Sequence, residues 1–95
     1  MPDNIYQDKR WKKKRAYILK RDEHVCQECK RYGKTAPATT VHHVKPLELY
    51  PELWLTDKNL ISVCNKCHEG FHDRVTDRLT KSGLRLVRRI WNEIL

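Results

Sequence analysis

The 95-residue sequence lacks any long apolar run and has few of the residues that build a large core, with one phenylalanine and 39% hydrophobic residues. No stretch approaches the roughly 18 apolar residues of a membrane span, and the N-terminal "MPDNIYQDKR" lacks the apolar segment of a secretory signal. We therefore expect one cytoplasmic domain over residues 1–95 with no membrane partner. A core this small is typical of domains that need a metal or covalent staple.

Acidic residues are also scarce, since 12 Asp and Glu face 20 Lys and Arg and give a formal charge of +8. The segment "KRWKKKRAYILKR" (9–21) holds eight bases and no acid, and Arg85, Arg88 and Arg89 form a second basic group. Apolar residues among these bases predict a helix over about 8–22 with a basic outer face. Such a surface favours a polyanionic partner, usually nucleic acid, although a merely solvated helix face is the alternative.

Short β-rich segments are followed by helical ones, which predicts an α+β fold. A β-rich stretch, "ATTVHHV" (38–44), precedes a proline, and a second strand is predicted for "LISV" (60–63). Residues 65 to about 80 are mostly compatible with a helix. A last helix is predicted over about 84–95, with an apolar stripe formed by Val87, Ile90, Trp91 and Ile94 and extended by Leu84.

All four cysteines fall in two C-x-x-C pairs, Cys26/Cys29 and Cys64/Cys67. Two such pairs suit a tetrahedral Zn²⁺, because each pair presents two thiolates. A site with four cysteine ligands leaves no open coordination position, so its role is expected to be structural. The alternatives are disulfides, a redox pair or an iron–sulfur cluster.

Histidines form a second group of candidate ligands. His68 and His72 are four residues apart, which on a helix would place both imidazoles on one face. His42 and His43 are neighbours on the predicted strand, where adjacent side chains point to opposite faces. If this strand packs on the helix, one of the two can join His68 and His72 on a metal ion. The other would remain a free imidazole, suited to act as a general base.

The segments "VHHVKPL", "DKNLISVC" and "CNKCHEGFH" together resemble the motif of HNH endonucleases, which are ββα-metal nucleases. The two C-x-x-C pairs resemble the zinc-stapled subgroup found in bacteriophages. This resemblance covers roughly residues 8–78, with the motif core at about 24–78. It implies a small ββα-metal domain with a Cys₄ zinc knuckle and flanking helices.

The resemblance also implies a role for each motif residue. His43 would be the general base, and Asn59 would hold the loop between the strands and so orient His43, although in some relatives the matching residue touches the metal. His42 and His68 would be metal ligands, with His72 as the third. The catalytic ion would be Mg²⁺, Mn²⁺, Ni²⁺ or Zn²⁺, beside the structural Zn²⁺.

The predicted function is metal-dependent cleavage of DNA by a phage-associated enzyme in the bacterial host cytoplasm, with phage packaging proteins as candidate partners. The candidate phosphate contacts are Arg10, Lys13, Lys14, Lys45, Arg74 and Arg78. Two alternatives stay open at this point: a zinc-stapled module that binds nucleic acid without cutting it, and an interaction subunit with a vestigial site.

Overall fold

A two-stranded antiparallel sheet organises the fold. In the computed structural model, which describes residues 2–93, β1 (Thr40–His43) pairs with β2 (Leu60–Val63), and His43 lies opposite Leu60. The helices are α1 (Lys9–Arg21), α2 (Gln27–Arg31), α3 (Asn65–Phe71) and α4 (Lys81–Trp91). Short 3₁₀ turns cover Ile5–Gln7, Pro51–Leu53 and Asp57–Asn59. The predicted α+β class and both predicted strands are confirmed.

The two faces of the sheet are covered by different helices. On one face, Val41 and Leu60 pack against α1 in an apolar cluster that includes Trp11, Ile18 and Trp54. On the other face lies a second cluster, beneath α3 and α4, whose members include Val44, Ile61, Val63, Phe71, Leu86 and Val87. Because strand side chains alternate, consecutive residues of β1 enter different clusters. The core therefore has two parts, one on each side of the hairpin.

The basic N-terminal helix forms as predicted. Asp8 caps α1 by accepting a hydrogen bond from the backbone N–H of Arg10, which is a favoured N-terminal arrangement. The helix buries Trp11, Ile18 and Leu19 against the sheet. Most of its long basic side chains lie on the outer, exposed face.

The helix after β2 is shorter than the sequence indicates. α3 ends at Phe71, and His72 has an extended backbone (φ −123°, ψ 140°) that bridges to Leu79. Between them runs a tight turn, in which the Asp73 carboxylate accepts hydrogen bonds from the backbone N–H groups of Val75 and Thr76. The prediction of helical structure to about residue 80 is wrong beyond Phe71, because the Asp73 side chain takes backbone donors that a helix would use.

The last helix begins earlier than predicted, at Lys81, after a cap by Thr80. It packs through Leu86 and Val87, whereas Leu84 is 43% exposed and does not extend the apolar stripe as predicted. Ile90 and Trp91 pack against the same cluster, and the predicted Ile94 lies outside the described residues. Among residues 2–93 no helix is both long enough and apolar enough to cross a bilayer.

Gly83 permits the close approach of α4 to the end of α3. A Cβ atom at this position would lie 2.6 Å from the backbone oxygen of Phe71 and 2.9 Å from a methyl group of Leu79. Any larger residue would push the helix away, so glycine fixes the packing distance here.

Candidate metal centres

Four cysteines converge at the N-terminal ends of two short helices. Cys26 precedes α2 and Cys64 precedes α3, while Cys29 and Cys67 lie within these helices. The four sulfur atoms all lie within 4.8 Å of one another, with Cys29 Sγ 3.9 Å from Cys64 Sγ and 3.7 Å from Cys67 Sγ. Tetrahedral Zn–S bonds of about 2.3 Å place sulfurs about 3.8 Å apart. The cluster therefore fits a zinc ion.

The thiols in this cluster differ in acidity. A backbone hydrogen bond from Cys67 lowers the pKa of the Cys64 thiol to about 7. Burial, together with hydrogen bonds to neighbouring thiols, raises the pKa of Cys67, and a hydrogen bond to Cys26 raises that of Cys29. Four thiolates at these distances repel one another, so a divalent cation is needed to keep all four deprotonated.

Three histidines from separate segments form a second cluster. His42 comes from β1, His68 from α3 and His72 from the extended segment after α3. Their ligand nitrogen atoms lie within 4.8 Å of one another, and the ring centroids are 5.1 to 5.2 Å apart. The structure thus brings together His42, His68 and His72. It does so without the predicted shared helix face, because His72 lies beyond the end of α3.

This histidine cluster has the properties of a site for a divalent cation. His42 is only 1% exposed, and its Nε2 and the Nδ1 of His72 are buried with no hydrogen-bond partner among the described residues. The nearest carboxylate oxygen to His72 Nδ1 belongs to Asp77 and is 3.8 Å away, beyond hydrogen-bond distance. Burial, with the charges of His68 and His72, holds the pKa of His42 well below its ordinary value. Neutral imidazoles with free lone pairs are metal ligands, so the residues present fit an ion.

His43 projects from the opposite face of β1. Its ring stacks on Trp11 with 4.8 Å between centroids, and its Nε2 lies 3.2 Å from the backbone oxygen of Trp54. A carbonyl oxygen can only accept, so this contact assigns the proton to Nε2 and leaves the lone pair on Nδ1. Burial lowers the pKa of His43, and the hydrogen bond to Trp54 partly opposes this effect. The ring is therefore held neutral, in one orientation, with one basic nitrogen.

Asn59 closes the loop between the strands. It is fully buried, and its side chain accepts from the backbone N–H of Lys45 (2.8 Å) and donates to the Lys45 carbonyl (3.2 Å). The Asn59 backbone oxygen also accepts from the N–H of Val44 (2.8 Å). These bonds fix the chain directly after His43, and the role of Asn59 in orienting His43 stays a prediction.

The strand–strand–helix unit that carries these residues matches a known family. Residues 26–74, just over half of the chain, match the family model of the HNH endonuclease. The chain belongs to the HNH endonuclease family. The predicted enzyme class, a nuclease, is thereby confirmed.

A solved structure of the HNH endonuclease family is similar to this chain. It is the crystal structure of the HNH endonuclease of the deep-sea thermophilic bacteriophage GVE2 with manganese ion, and it is 32% identical, with a TM-score of 0.67. The match covers 68% of this chain and 71% of that chain. No curated protein matches the chain.

The basic residues of this HNH endonuclease have different surroundings. On α1, Lys13 is exposed, and Arg10 is exposed while its guanidinium binds Asp8 and lies 5.0 Å from the ring of Trp54. Lys14 is half-buried and forms an ion pair with Asp57. The structure therefore leaves Arg10 and Lys13 on the outer surface and commits Lys14 to an internal contact.

Lys45 is buried within the protein. Its side chain is 6% exposed, and its ammonium group binds Glu93 and lies 4.3 Å from the ring of Trp91 and 4.7 Å from that of Tyr50. In this conformation the charge of Lys45 is already compensated by Glu93, and its contact with DNA stays a prediction. Arg74 and Arg78 are both exposed, in the turn that follows His72.

Sequence reasoning missed three groups near the site of this HNH endonuclease. The Trp54 carbonyl and the Trp11 ring hold His43, and the Trp91 indole N–H donates to Asn59 Oδ1 at 3.2 Å. A backbone carbonyl leaves no signal in a sequence. Trp11 and Trp91 were visible only as apolar positions of amphipathic helices, and nothing in that pattern indicates a contact with a motif residue.

Proposed function

We propose that this HNH endonuclease hydrolyses phosphodiester bonds of DNA, with His43 as general base and one divalent ion held by His42, His68 and His72. The observation that carries the proposal is the state of His43: a neutral ring, fixed by Trp11 and the Trp54 carbonyl, with a free lone pair on Nδ1. It stands one residue from His42, on the other face of the same strand. The proposed base and the histidine cluster are thus neighbours on opposite faces of β1.

In the proposed reaction, His43 accepts a proton at Nδ1 from the attacking water. The Trp54 carbonyl, which accepts from Nε2–H, stabilises the imidazolium that forms, and Trp11 keeps the ring in plane. Asn59 acts indirectly by fixing the chain after His43. A divalent ion, when bound, would stabilise the negative charge that develops on the phosphate and on the leaving oxygen.

The two clusters are assigned different ions. Four cysteine ligands form a closed site, so Cys26, Cys29, Cys64 and Cys67 are proposed to hold a structural Zn²⁺. The three histidines leave coordination positions open, as a catalytic ion requires, and Mg²⁺, Mn²⁺, Ni²⁺ and Zn²⁺ are the candidates. The GVE2 relative was crystallised with manganese ion, which supports a divalent metal for this chain.

Phosphate contacts are assigned to exposed basic residues in two segments of the chain. Arg10 and Lys13 lie on α1, and Arg74 and Arg78 lie in the turn after His72. Contacts of this kind carry no base information, so binding should be salt-dependent and weakly sequence-specific. The phage relative supports a phage origin.

The proposal is tested by incubating supercoiled plasmid with wild type, His43→Ala and His24→Ala in the presence of Mg²⁺, Mn²⁺, Ni²⁺ or Zn²⁺. His24 is exposed and outside both clusters, so its replacement is a matched control. Wild type and His24→Ala should nick the plasmid with at least one ion. His43→Ala should lose about 10²–10⁴-fold in rate, the usual contribution of a general base.

Two results would contradict this proposal. Equal cleavage by wild type and His43→Ala would remove His43 from the role of base. An absence of cleavage by the folded wild type with every ion would favour the vestigial site, and the metal content of the protein would then show whether the histidine cluster still binds an ion.

A further inference from the structure

A groove lies between α2, α3 and α4, and His68 is not among its lining residues. It has a volume of about 550 Å³, and Cys67, Gly70 and Phe71 of α3 form part of its lining. Its walls come from α2 with the residue that follows it, Tyr32, and from α4; the charged wall residues are Glu28, Arg31, Arg85, Arg88 and Arg89. The groove is thus built from the zinc-knuckle helices and from α4, and α4 lies outside the segment that matches the family model.

The charge of the groove is strongly positive. Four arginines line it, and Glu28 is the one carboxylate among its lining residues that the structure describes. Glu28 accepts from Arg31 on its own helix (3.3 Å) and from Arg89 on the facing helix (3.4 Å). Guanidinium groups from both walls therefore converge on one negatively charged group. Each guanidinium has five N–H donors, so both retain donors for a further anion.

The groove is close to the histidine cluster. Phe71 lines the groove, and its ring lies 4.8 Å from that of His42. α3 is a single helix, and a helix with its side chains is about 10 Å wide. A strand of nucleic acid that passes the histidine cluster therefore needs to extend only by a few nucleotides to reach the arginines beyond α3.

We propose that this groove binds the phosphate backbone of the DNA beside the cleavage site, as a second contact surface separate from α1. The inference rests on the proposed DNA substrate. Arginine forks match phosphate oxygens in pairs, and Tyr32, which is 67% exposed and lies 5.2 Å from the Arg31 guanidinium, offers a ring on which an unpaired base can stack. A stacking surface beside the arginines favours nucleic acid over an acidic segment of a partner protein.

The test measures binding of a fluorescein-labelled duplex with a short single-stranded extension to the 95-residue, zinc-loaded protein in the His43→Ala background, where cleavage is suppressed. Arg85→Glu/Arg89→Glu should raise the Kd about tenfold and reduce the slope of log K against log salt by about 2. Lys34→Glu/Lys66→Glu is the matched control, because it makes the same charge change at exposed residues that do not line the groove. The control variant should bind the duplex more tightly than Arg85→Glu/Arg89→Glu does.

A second variant should change the DNA affinity in the opposite direction. Glu28→Gln removes the internal competitor for Arg31 and Arg89 and keeps the shape of the side chain, so DNA should bind several-fold more tightly. The same charge removed at Glu52, which is exposed and does not line the groove, should increase affinity less. If the double charge reversal fails to fold, as judged by circular dichroism, Arg85→Gln/Arg89→Gln replaces it with a smaller expected effect in the same direction.

The outcomes separate this inference from the proposed function. Equal DNA affinity in the groove variant and the control variant would overturn the groove as a DNA site. The groove variant could instead lose binding to a poly-glutamate peptide while it binds DNA as tightly as the control variant does. That result would assign the groove to an acidic protein segment and would also overturn the proposal. A wild type that never cuts, but whose DNA binding depends on the groove, would contradict only the nuclease mechanism.

Discussion

His42 and His43 are neighbours in the chain but have opposite surroundings. The ring of His42 is enclosed by His68, His72 and Phe71, with a buried nitrogen that has no partner among the described residues. The ring of His43 lies between an indole and a carbonyl that fix its tautomer. Strand alternation alone predicts that the two differ. The family resemblance was needed to say which of them would be the ligand, since a strand pattern does not reveal which helix covers each face.

The burial of His42 should appear as a pH dependence of stability. Its pKa is lowered in the folded protein, so below about pH 6.5 the unfolded chain binds a proton that the folded chain does not. Without an ion at the histidine cluster, the free energy of unfolding should therefore be highest above that pH and fall as the pH drops toward the lowered pKa. Urea unfolding at a series of pH values measures this slope, on protein loaded with one equivalent of Zn²⁺, which the four thiolates should bind in preference to the histidines.

Variants can separate the contribution of His42 from that of the other groups. His42→Gln should make the stability less dependent on pH in this range, because it removes the buried imidazole. Equal slopes in wild type and His42→Gln would show that the buried imidazole does not control the acid sensitivity.

At the scale of elements, α4 supports the hairpin through Trp91. Its indole N–H donates to Asn59 Oδ1, the same atom that accepts from the backbone N–H of Lys45. Trp91→Phe keeps a ring for the ammonium groups of Lys45 and Lys58 but removes this donor. Loss of one hydrogen bond should reduce the free energy of unfolding by about 1 kcal/mol.

Urea denaturation of wild type, Trp91→Phe and Asn59→Ala measures this contribution. Asn59→Ala should cost more, about 3 kcal/mol, because it leaves the backbone N–H and carbonyl of Lys45 without partners in a buried position. If Trp91→Phe is as stable as wild type, α4 does not support the hydrogen bonds that Asn59 forms with Lys45.

The elements also show where sequence reasoning succeeds and fails. The boundaries of α1 and β2 and the grouping of the four cysteines follow from local pattern and spacing, and all were predictable. The burial of Lys45 was not, because its partners Trp91 and Glu93 are more than forty residues away. The departure of His72 from α3 depends on a turn whose stabilising side chain, Asp73, is also compatible with a helix.

At the scale of the whole molecule, the cysteine cluster brings together two segments that are far apart in the chain. It connects α2 to α3, and both strands of the hairpin lie in the chain between Cys29 and Cys64. With two small apolar clusters instead of one large core, the fold should depend on the ion. Removal of the proposed zinc ion by a chelator should abolish cooperative thermal unfolding measured by circular dichroism.

Adding ions back to the chelated protein tests whether the cysteine cluster holds the ion on which the fold depends. Zn²⁺ added back should recover the fold, whereas Mg²⁺ should not, because four thiolates select the softer ion. Cys64→Ser should behave as the chelated protein does, with or without added zinc. A chelated protein that unfolds at the same temperature as the loaded one would contradict a structural role for the cysteine cluster.

The register of the hairpin has a consequence for errors in strand pairing. A slip of one residue in β1 would turn every side chain to the other face, so His42 would point toward Trp11 and His43 toward His68. The proposed base and the proposed ligand would exchange places, and Val41 and Val44 would leave their clusters at the same time. Misregistered molecules would therefore be both unstable and unable to cut, and accurate pairing of four residues becomes a condition for any activity at all.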